Sequence, residues 1–350
     1  MVMQVEVLNG KILFVMKYIF VITNHTSFLS SMGTMNYLNL EHKDVVFYTV
    51  RNYKNDFVPI DWTMRAVDDF FDLLYHLVSE KPSEIKKKIR MFDDFVEQDI
   101  KGEYEAFIPH LSHPMYLLIA TNKKCKNVSF VQEGILSYKN VFLTHRKWWE
   151  KLKTKLGQIF KYRTFRIWGT GGWYAEGTLK QKELHSYATN DRLFKYLPSI
   201  NHVIQWPHIE VDLSLKPDAV YFLFDGFVVN GFVESSYYLN ACEKLIKEYG
   251  GTYNYLKFHP NETLNERNAI KGYFDEQNMI WEELPSSLPF ELILASENNL
   301  KVVGLGTSLL FVAHELGHHV ECHDDWLQDS PKFQIYMKNF GCQLFKDIYK

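Results

Sequence analysis

Hydrophobic and polar positions in the first half of the chain alternate between short apolar runs and amphipathic stretches. The runs Tyr18–Thr23, Val45–Val50 and Val128–Val131 are rich in β-branched and aromatic residues, which predicts buried strands. Between the second and third runs, apolar residues recur at spacings of three and four, which predicts two helices. The first should be capped by Asp61 and carry Met64 on its apolar face. The second should bury four apolar residues: Ile85, Ile89, Phe92 and Val96.

The second half repeats this alternation after an irregular stretch that contains prolines, Leu197–Pro217. The runs Val220–Phe224 and Tyr253–Phe258 predict strands, and Ser235–Tyr249 predicts a helix that ends at a glycine pair. Further elements are expected in this order: a helix at Pro289–Ala295, a strand at Leu300–Val303, a helix at Ser308–Leu316, a strand at Val320–Cys322 and a closing helix at Pro331–Tyr349. Strands and helices that alternate in this way are typical of parallel sheets with helices on both faces.

Composition agrees with two such domains. The 350 residues are 46% hydrophobic and 16% aromatic, which is enough to fill cores and excludes disordered and low-complexity classes. The length exceeds the usual size of a single core. We therefore expect two Rossmann-like doubly wound α/β domains, residues 1–200 and 201–350, with the last helix packing back on the N-terminal domain.

Charge and cysteine content exclude two further classes. A formal net charge of −3 gives no basic excess that would indicate a nucleic-acid partner. The four cysteines form no C-x-x-C pair, so neither a disulfide framework nor a structural zinc site is predicted, and a reducing compartment is expected. The most apolar N-terminal stretch, Lys11–Thr23, is interrupted by Lys17 and is too short to span a bilayer. These features favour a cytoplasmic protein without a signal peptide.

Three short signals follow predicted strands, where parallel sheets place their ligands. An acidic-glycine pair begins at Glu133, a His-Pro pair begins at His259, and a Gly-Thr-Ser run ends at Ser308. Each signal alone is more typical of an ordinary turn, loop or helix cap than of a functional site. Their order and spacing along one chain make them more informative together.

Together they resemble the three motifs shared by bacterial sialyltransferases: acidic-acidic-Gly, His-Pro and Ser-Ser/Thr. The surrounding residues are similar to the bacterial polysialyltransferase and lipooligosaccharide sialyltransferase families in particular. The similarity includes Phe-Ile-Pro-His ending at His110, the pair Ser137 and Tyr138, and Leu-Pro-Phe-Glu ending at Glu291. The resemblance implies the GT-B glycosyltransferase plan, in which two Rossmann-like domains face a cleft.

The resemblance also implies a reaction. An inverting sialyltransferase moves a sialic acid, or a related nonulosonate, from a CMP-activated donor to a hydroxyl of a capsule or lipooligosaccharide glycan. The attacking hydroxyl needs a general base, for which Glu133 is the candidate. The leaving CMP phosphate gathers negative charge, and His259 is the candidate that donates a proton or hydrogen bond to it. No metal or other cofactor is implied.

The expected donor-binding residues are in the second domain. Thr307 and Ser308 open a predicted helix whose free N–H groups favour an anion, here the CMP phosphate. Glu291 is expected to accept hydrogen bonds from the ribose hydroxyls, by analogy with other GT-B donor domains. The full expected set is Pro260, Gly306, Glu291, Thr307 and Ser308.

One departure from the family pattern concerns the acidic motif. The first of its two acidic positions is Gln132 here, so only Glu133 supplies a carboxylate. This departure leaves open a catalytically inactive, glycan-binding relative. A second acidic-glycine pair begins at Asp225, which is expected to line the cleft and is the next candidate base after Glu133. The histidines His110 and His113 are expected to serve packing or the surface.

A competing signal is the sequence His-Glu-Leu-Gly-His at 314–318, which fits the zinc-peptidase pattern H-E-x-x-H. On one continuous helix His314 and His318 would bind zinc and Glu315 would be the base. No third ligand follows at the familiar spacing, and Gly317 is expected to end the helix before His318. We therefore expect no metal site, with a zinc metallopeptidase as the alternative function.

The segment 145–166 combines eight Lys and Arg residues with interleaved aromatic side chains and a single acidic residue. A solvated basic helix explains this pattern as well as contact with an anionic glycan or glycolipid acceptor does. The second interpretation places the protein on the cytoplasmic face of a bacterial inner membrane, as a peripheral protein with a CMP-sugar donor and an anionic acceptor. The motifs do not distinguish among nonulosonic acids, acceptors, or single and repeated transfer.

Overall fold

A computed structural model describes residues 6–8, 11–13, 16–53, 62–76, 80–134, 166, 183–195, 197, 199–209, 214–286, 288–340 and 344–349. The strands of these residues are β1 Glu6–Leu8, β2 Lys11–Leu13, β3 Lys17–Ile22, β4 Val45–Thr49, β5 Thr63–Ala66, β6 Tyr104–Ile108, β7 Cys125–Val131, β8 Leu184–Ala188, β9 Ser199–Val203, β10 Val220–Phe224, β11 Tyr253–Phe258, β12 Ile280–Glu283, β13 Lys301–Gly304 and β14 His319–Cys322. The α-helices are α1 His25–Leu38, α2 Asp68–Tyr75, α3 Pro82–Asp99, α4 Pro114–Ala120, α5 Ser235–Tyr249, α6 Leu264–Glu276, α7 Phe290–Ser296, α8 Ser308–Glu315, α9 Pro331–Phe340 and α10 Phe345–Ile348.

The first domain contains a parallel sheet of seven strands in the order β5-β4-β3-β6-β7-β8-β9. It holds the described residues up to Glu133 and those from Arg166 to Trp206. Its inner strand β3 is apolar because both faces are covered, and Ile19, Phe20 and Ile22 are fully buried. The chain leaves β3 in one direction to β4 and β5, and then crosses back to β6, so the topological switch point lies between β3 and β6.

The second domain, from Pro207 onward, contains a parallel sheet of five strands in the order β12-β11-β10-β13-β14. Its core is built on Phe222, Leu256 and Val303, one residue from each of the three central strands, and all three are fully buried. The switch point lies between β10 and β13. Both sheets follow the strand order of Rossmann-like folds, so the prediction of two Rossmann-like α/β domains is confirmed.

Several predicted elements agree closely with the structure, and three do not. The helix expected from Asp61 begins at Asp68, because Met64 pairs with β4 in strand β5 and the Val67 N–H bonds to a β4 carbonyl at 2.9 Å. The irregular stretch Leu197–Pro217 contains edge strand β9. The closing helix is two helices, α9 and α10.

The two closing helices contact the second domain in the described part of the chain, and packing of the last helix on the N-terminal domain stays a prediction. Phe333 of α9 belongs to the second core and packs edge-on to Phe227, with ring centroids 6.1 Å apart. Phe345 of α10 packs edge-on to Phe311 of α8 at 5.0 Å.

Helix α1 leaves no room for a side chain at Gly33. A Cβ atom added there would lie 2.4 Å from the backbone oxygen of Gln205, whereas one added at Gly272 of α6 would meet no heavy atom within 4 Å. We predict that Gly33→Ala lowers the free energy of unfolding by about 1–3 kcal/mol, the usual effect of overpacking. The control Gly272→Ala should raise it by up to about 1 kcal/mol, because alanine favours the helix. Urea unfolding of both variants checks the prediction, which is contradicted if both substitutions stabilise.

Candidate functional site

The candidate site in the first domain begins at Asn24, which follows β3. The Asn24 Oδ1 accepts the Ser27 N–H at 2.8 Å, and the Ser27 Oγ accepts the Asn24 N–H at 3.1 Å, so the two residues form a capping box that starts α1. The Asn24 Nδ2 also donates to the backbone oxygen of Glu133 at 3.0 Å. The polar loop after β3 therefore starts a helix and fixes the backbone of the predicted base.

The side chain of Glu133 is nearly buried, with 7% of its surface exposed. Its Oε2 lies 3.4 Å from the Nε2 of His110, which follows β6, and its Oε1 lies 3.4 Å from Nη1 of Arg51, which follows β4. Burial alone would raise the pKa of this carboxyl, but His110, Arg51 and a hydrogen bond from Thr23 outweigh it and hold the pKa at about 2. Glu133 is therefore ionised at neutral pH, and His110 is a direct contact of the candidate base and not only a packing residue.

Gln132, which stands where the family has an acidic residue, is fully buried. Its Oε1 accepts hydrogen bonds from the Thr189 N–H at 2.9 Å and the Thr189 hydroxyl at 3.0 Å. Its backbone N–H bonds to the Tyr187 oxygen of β8 at 3.1 Å. In both side-chain bonds the Gln132 oxygen is the acceptor, which is a role that a carboxylate oxygen could also fill. These bonds connect the end of β7 to the loop after β8.

The candidate site in the second domain forms where three neighbouring strands end. Asp225 follows β10, His259 follows β11 and Thr307 follows β13. The Thr307 hydroxyl and the Gly226 N–H both bond to the Asp225 carboxyl, and the charge of His259 acts on it. Burial is the largest effect on this carboxyl and raises its pKa, although the other three oppose the rise. An acid, a histidine and a hydroxyl therefore meet at this edge. Asp225 and His259 are 34 residues apart in the sequence, and His259 and Thr307 are 48 apart, so the order of the strands brings them together.

His259 is held in one orientation by its own loop. Its Nδ1 accepts the Asn261 N–H at 3.2 Å, which assigns the ring proton of the neutral form to Nε2. Arg267 of α6 donates to the backbone oxygens of His259 and Pro260 at 3.0 and 3.3 Å. A Cβ added to Gly226 would lie 2.9 Å from the His259 Nδ1, so glycine is required beside the ring. Nε2–H is the group with which His259 can donate to a ligand.

The three predicted donor-binding residues at 306–308 occupy the start of α8. Thr307 is the N-cap residue, Ser308 is the first helical residue, and both precede N–H groups that lack carbonyl partners within the helix. Gly306 has φ +112°, and a Cβ there would lie 2.8 Å from the Cβ of Asp324. The expected geometry of a helix N-terminus at the carboxyl edge of β13 is present, while donor binding by these residues stays a prediction.

Glu291 and Pro260 are the other two predicted donor-binding residues, and neither belongs to the start of α8. Pro260 is exposed beside His259. Glu291 is half-buried in the first turn of α7, where it acts on the buried Lys257. Burial lowers the pKa of Lys257 to about 8, while the charge of Glu291 opposes that change. The Lys257 Nζ donates to the backbone oxygens of Pro285 and Leu288 at 2.7 and 2.6 Å, which fixes the loop that leads into α7.

The His-Glu-Leu-Gly-His sequence forms a helix end. Helix α8 stops at Glu315, Gly317 has φ +86°, and the ring of His318 is buried away from His314. The His318 Nδ1 accepts the Leu300 N–H at 3.2 Å and its Nε2 donates to the Leu294 oxygen at 3.0 Å. Both ring nitrogens are committed, so this sequence does not present the zinc-binding face of the H-E-x-x-H pattern. Across the described ranges, no cluster of three or more His, Cys, Asp or Glu side chains is arranged to hold a metal ion.

The basic segment 145–166 lies outside the described residues except for Arg166. This side chain bonds to Asp93 and donates to the Leu118 oxygen at 2.8 Å, which joins it to α3 and α4. None of the helices in the described ranges combines the length and the apolar character needed to cross a membrane. Peripheral membrane contact through the basic segment stays a prediction.

Comparison with known proteins gives distant structural likeness. No protein-family profile and no curated protein sequence matches the chain. A sialyltransferase from Photobacterium damsela is 13% identical, covers 94% of this chain and 80% of its own, and has a TM-score of 0.47. S. aureus MnaA with UDP is 11% identical, with coverages of 87% and 78% and a TM-score of 0.46. A UDP-GlcNAc 2-epimerase from Neisseria meningitidis, bound to UDP-GlcNAc, is 12% identical, with coverages of 95% and 93% and a TM-score of 0.43. At this level of similarity they assign neither activity nor ligand.

A buried carboxyl beside the second-domain group gives a test of these contacts. Glu262 is 7% exposed, and the Tyr238 hydroxyl bonds to the Asp225 backbone oxygen at 2.9 Å and lies 3.5 Å from Glu262 Oε2. Burial first, and the charge of Asp225 second, raise the pKa of Glu262 from 4.5 to about 8.

We predict that Glu262→Gln becomes more stable relative to the wild type as pH rises from about 4.5 to 8. In that window the unfolded chain has lost the Glu262 proton while the folded chain still holds it, so wild-type stability falls with pH. Glutamine keeps the size and removes this dependence. Urea midpoints at pH 5, 6, 7 and 8 measure the difference, with the exposed Glu276→Gln as the control. A stability difference that does not vary with pH would contradict the prediction.

Proposed function

We propose that the protein is an inverting GT-B glycosyltransferase that moves a sialic acid, or a related nonulosonate, from a CMP-activated donor to a hydroxyl of a cell-surface glycan. The observation that carries the proposal is the group formed by Asp225, His259 and Thr307 at the switch point of the second sheet. Open α/β sheets bind nucleotides and other phosphate ligands at this edge. The motif resemblance supplies the finer identity of donor and sugar.

In this proposal the second domain binds the donor phosphate. The N–H groups at the start of α8 and the hydroxyl of Ser308 face an anion favourably. The Nε2–H of His259 donates to the phosphate oxygen that leaves with CMP. Asp225 stands beside His259 in this arrangement, and the two groups act on each other through their charges.

The first domain supplies the base. Glu133, already ionised, accepts the proton of the acceptor hydroxyl as that oxygen bonds to the anomeric carbon. The bond from this carbon to the phosphate oxygen breaks, its electron pair leaves with CMP, and the anomeric configuration inverts. A carboxylate with a pKa near 2 binds protons weakly, so the proton moves after bond formation has made the hydroxyl strongly acidic. The acceptor is a capsule or lipooligosaccharide glycan that bears negative charge.

The first test of the proposal is nucleotide binding. CMP should raise the melting temperature, because a ligand that binds only the folded state stabilises it by an amount that grows with concentration. UMP and AMP are the comparison ligands. Ser308→Ala should reduce the CMP shift, whereas the exposed Ser236→Ala, in the first turn of α5, should leave it unchanged. Equal shifts of the melting temperature with all three nucleotides would contradict the proposal that the donor is a CMP-sugar.

The second test contrasts the two predicted catalytic residues. Glu133→Gln keeps the size of the side chain and should lower turnover about 10²–10⁴-fold, the usual contribution of a general base, with little change in CMP affinity. His259→Ala should lower turnover and also weaken CMP binding, because it contacts the phosphate before reaction. Release of CMP with a glycan acceptor is the measurement. Near-normal turnover in Glu133→Gln would move the base to Asp225, and wild-type protein that binds CMP without turnover would favour the inactive relative.

A further inference from the structure

The ion pair between Arg51 and Glu133 is asymmetric in its exposure. The Glu133 side chain is 7% exposed, whereas the Arg51 side chain is 50% exposed, with 3.4 Å between Nη1 and Oε1. A planar guanidinium has five N–H donors, and this contact occupies a fraction of them. An incoming ligand therefore meets the cation of the pair before the carboxylate.

The backbone at Arg51 is held in an uncommon conformation. Arg51 has φ +61° and Asn52 has φ +53°, both in the left-handed region that favours glycine. The Asn52 N–H bonds to the Asp68 carboxylate of α2, and the Arg51 guanidinium lies 5.8 Å from the ring centre of Phe71 on the same helix. Strained residues persist where surrounding contacts hold them and are concentrated at ligand sites. Helix α2 thus fixes the direction in which Arg51 leaves β4.

The charged and titratable groups that act on Glu133 come from several elements. Arg51 follows β4, His110 follows β6, and Tyr116 lies on α4 with its hydroxyl fully buried and lacking a hydrogen-bond partner. A hydrogen bond from Thr23, after β3, completes the set. Of these groups Arg51 is the one that combines a permanent positive charge with wide exposure, so it is the one whose contact a ligand can change.

We propose that Arg51 binds an anionic group of the acceptor glycan and that this contact competes with its ion pair to Glu133, so that acceptor binding strengthens the base. The proposal rests on the proposed function, in which Glu133 accepts the acceptor proton. A bidentate arginine–carboxylate pair matches the planar geometry of both groups, and phosphate is bound by the same fork. Drawing positive charge away from Glu133 raises its affinity for a proton at the moment when the acceptor hydroxyl is in place.

Transfer kinetics with three acceptors test the binding half of this inference. Lactose is neutral, 3′-sialyllactose carries a carboxylate, and lactose phosphate carries a phosphate. In Arg51→Gln the KM for a charged acceptor should rise about 10- to 100-fold, the usual effect of losing a charge-assisted hydrogen bond. The KM for lactose should change less than about twofold, and Arg51→Lys should restore part of the affinity. The charged acceptor whose KM responds identifies the recognised group.

The turnover number tests the linkage to the base. With lactose, Arg51→Gln should raise kcat about twofold to threefold, because the freed Glu133 is a stronger base. The exposed Arg90→Gln on α3 is the matched control and should change neither constant. Equal KM increases for all three acceptors, or a loss of kcat on lactose, would overturn the inference and leave Arg51 with a structural role.

A measurement that needs no turnover separates this inference from the proposed function. Carbon-13 NMR of glutamate-labelled protein, with Glu133 assigned from the Glu133→Gln spectrum, follows its titration directly. In Arg51→Gln the midpoint should lie about one pH unit higher than in the wild type. In the wild type, 3′-sialyllactose should shift the Glu133 signal and lactose should not. A sialyllactose response without any sugar transfer would support Arg51 and count against the transferase. Sugar transfer together with a Glu133 signal that responds neither to Arg51→Gln nor to 3′-sialyllactose would support the transferase and count against the role of Arg51.

Discussion

The parallel pairing of the central strands is the constraint on which the candidate site depends. Phe224 of β10 pairs with Phe258 of β11, and Leu223 pairs with Gly304 of β13. This register ends the three strands at one edge and brings Asp225, His259 and Thr307 together, although they are far apart in the sequence. In the first sheet the same constraint brings Arg51, His110 and Glu133 together after β4, β6 and β7.

The sequence predicted elements best where local signals were strong. Ser235–Tyr249 and Tyr253–Phe258 were predicted to the residue, because an amphipathic helix, a glycine pair and a buried apolar run follow one another. The start of α2 was predicted six residues early because Met64 fits both a helical face and the edge strand β5. Pairing with β4 is a long-range interaction that spacing in one segment does not report.

The site was predicted unevenly for a related reason. Glu133, His259 and Thr307 were found because each belongs to a short motif after a predicted strand. Arg51 follows the strand Val45–Val50 in the same way, but it has no motif, and its importance comes from a left-handed backbone and a partner 82 residues away. Parallel sheets place every residue that follows a strand at one edge, so the position directly after a predicted strand is the signal in the sequence that points to Arg51.

The two candidate carboxylates differ in how their surroundings treat a negative charge. Arg51 and His110 hold the pKa of Glu133 low. Burial raises the pKa of Asp225, and the charge of His259 opposes only part of that rise. When the surroundings move the pKa values of two carboxyl groups apart in this way, one group commonly acts in its ionised form and the other in its protonated form. In the proposed reaction, Glu133 is the carboxyl suited to receive the proton of the acceptor hydroxyl. Asp225, whose pKa is raised by burial, is the carboxyl suited to hold a proton beside His259.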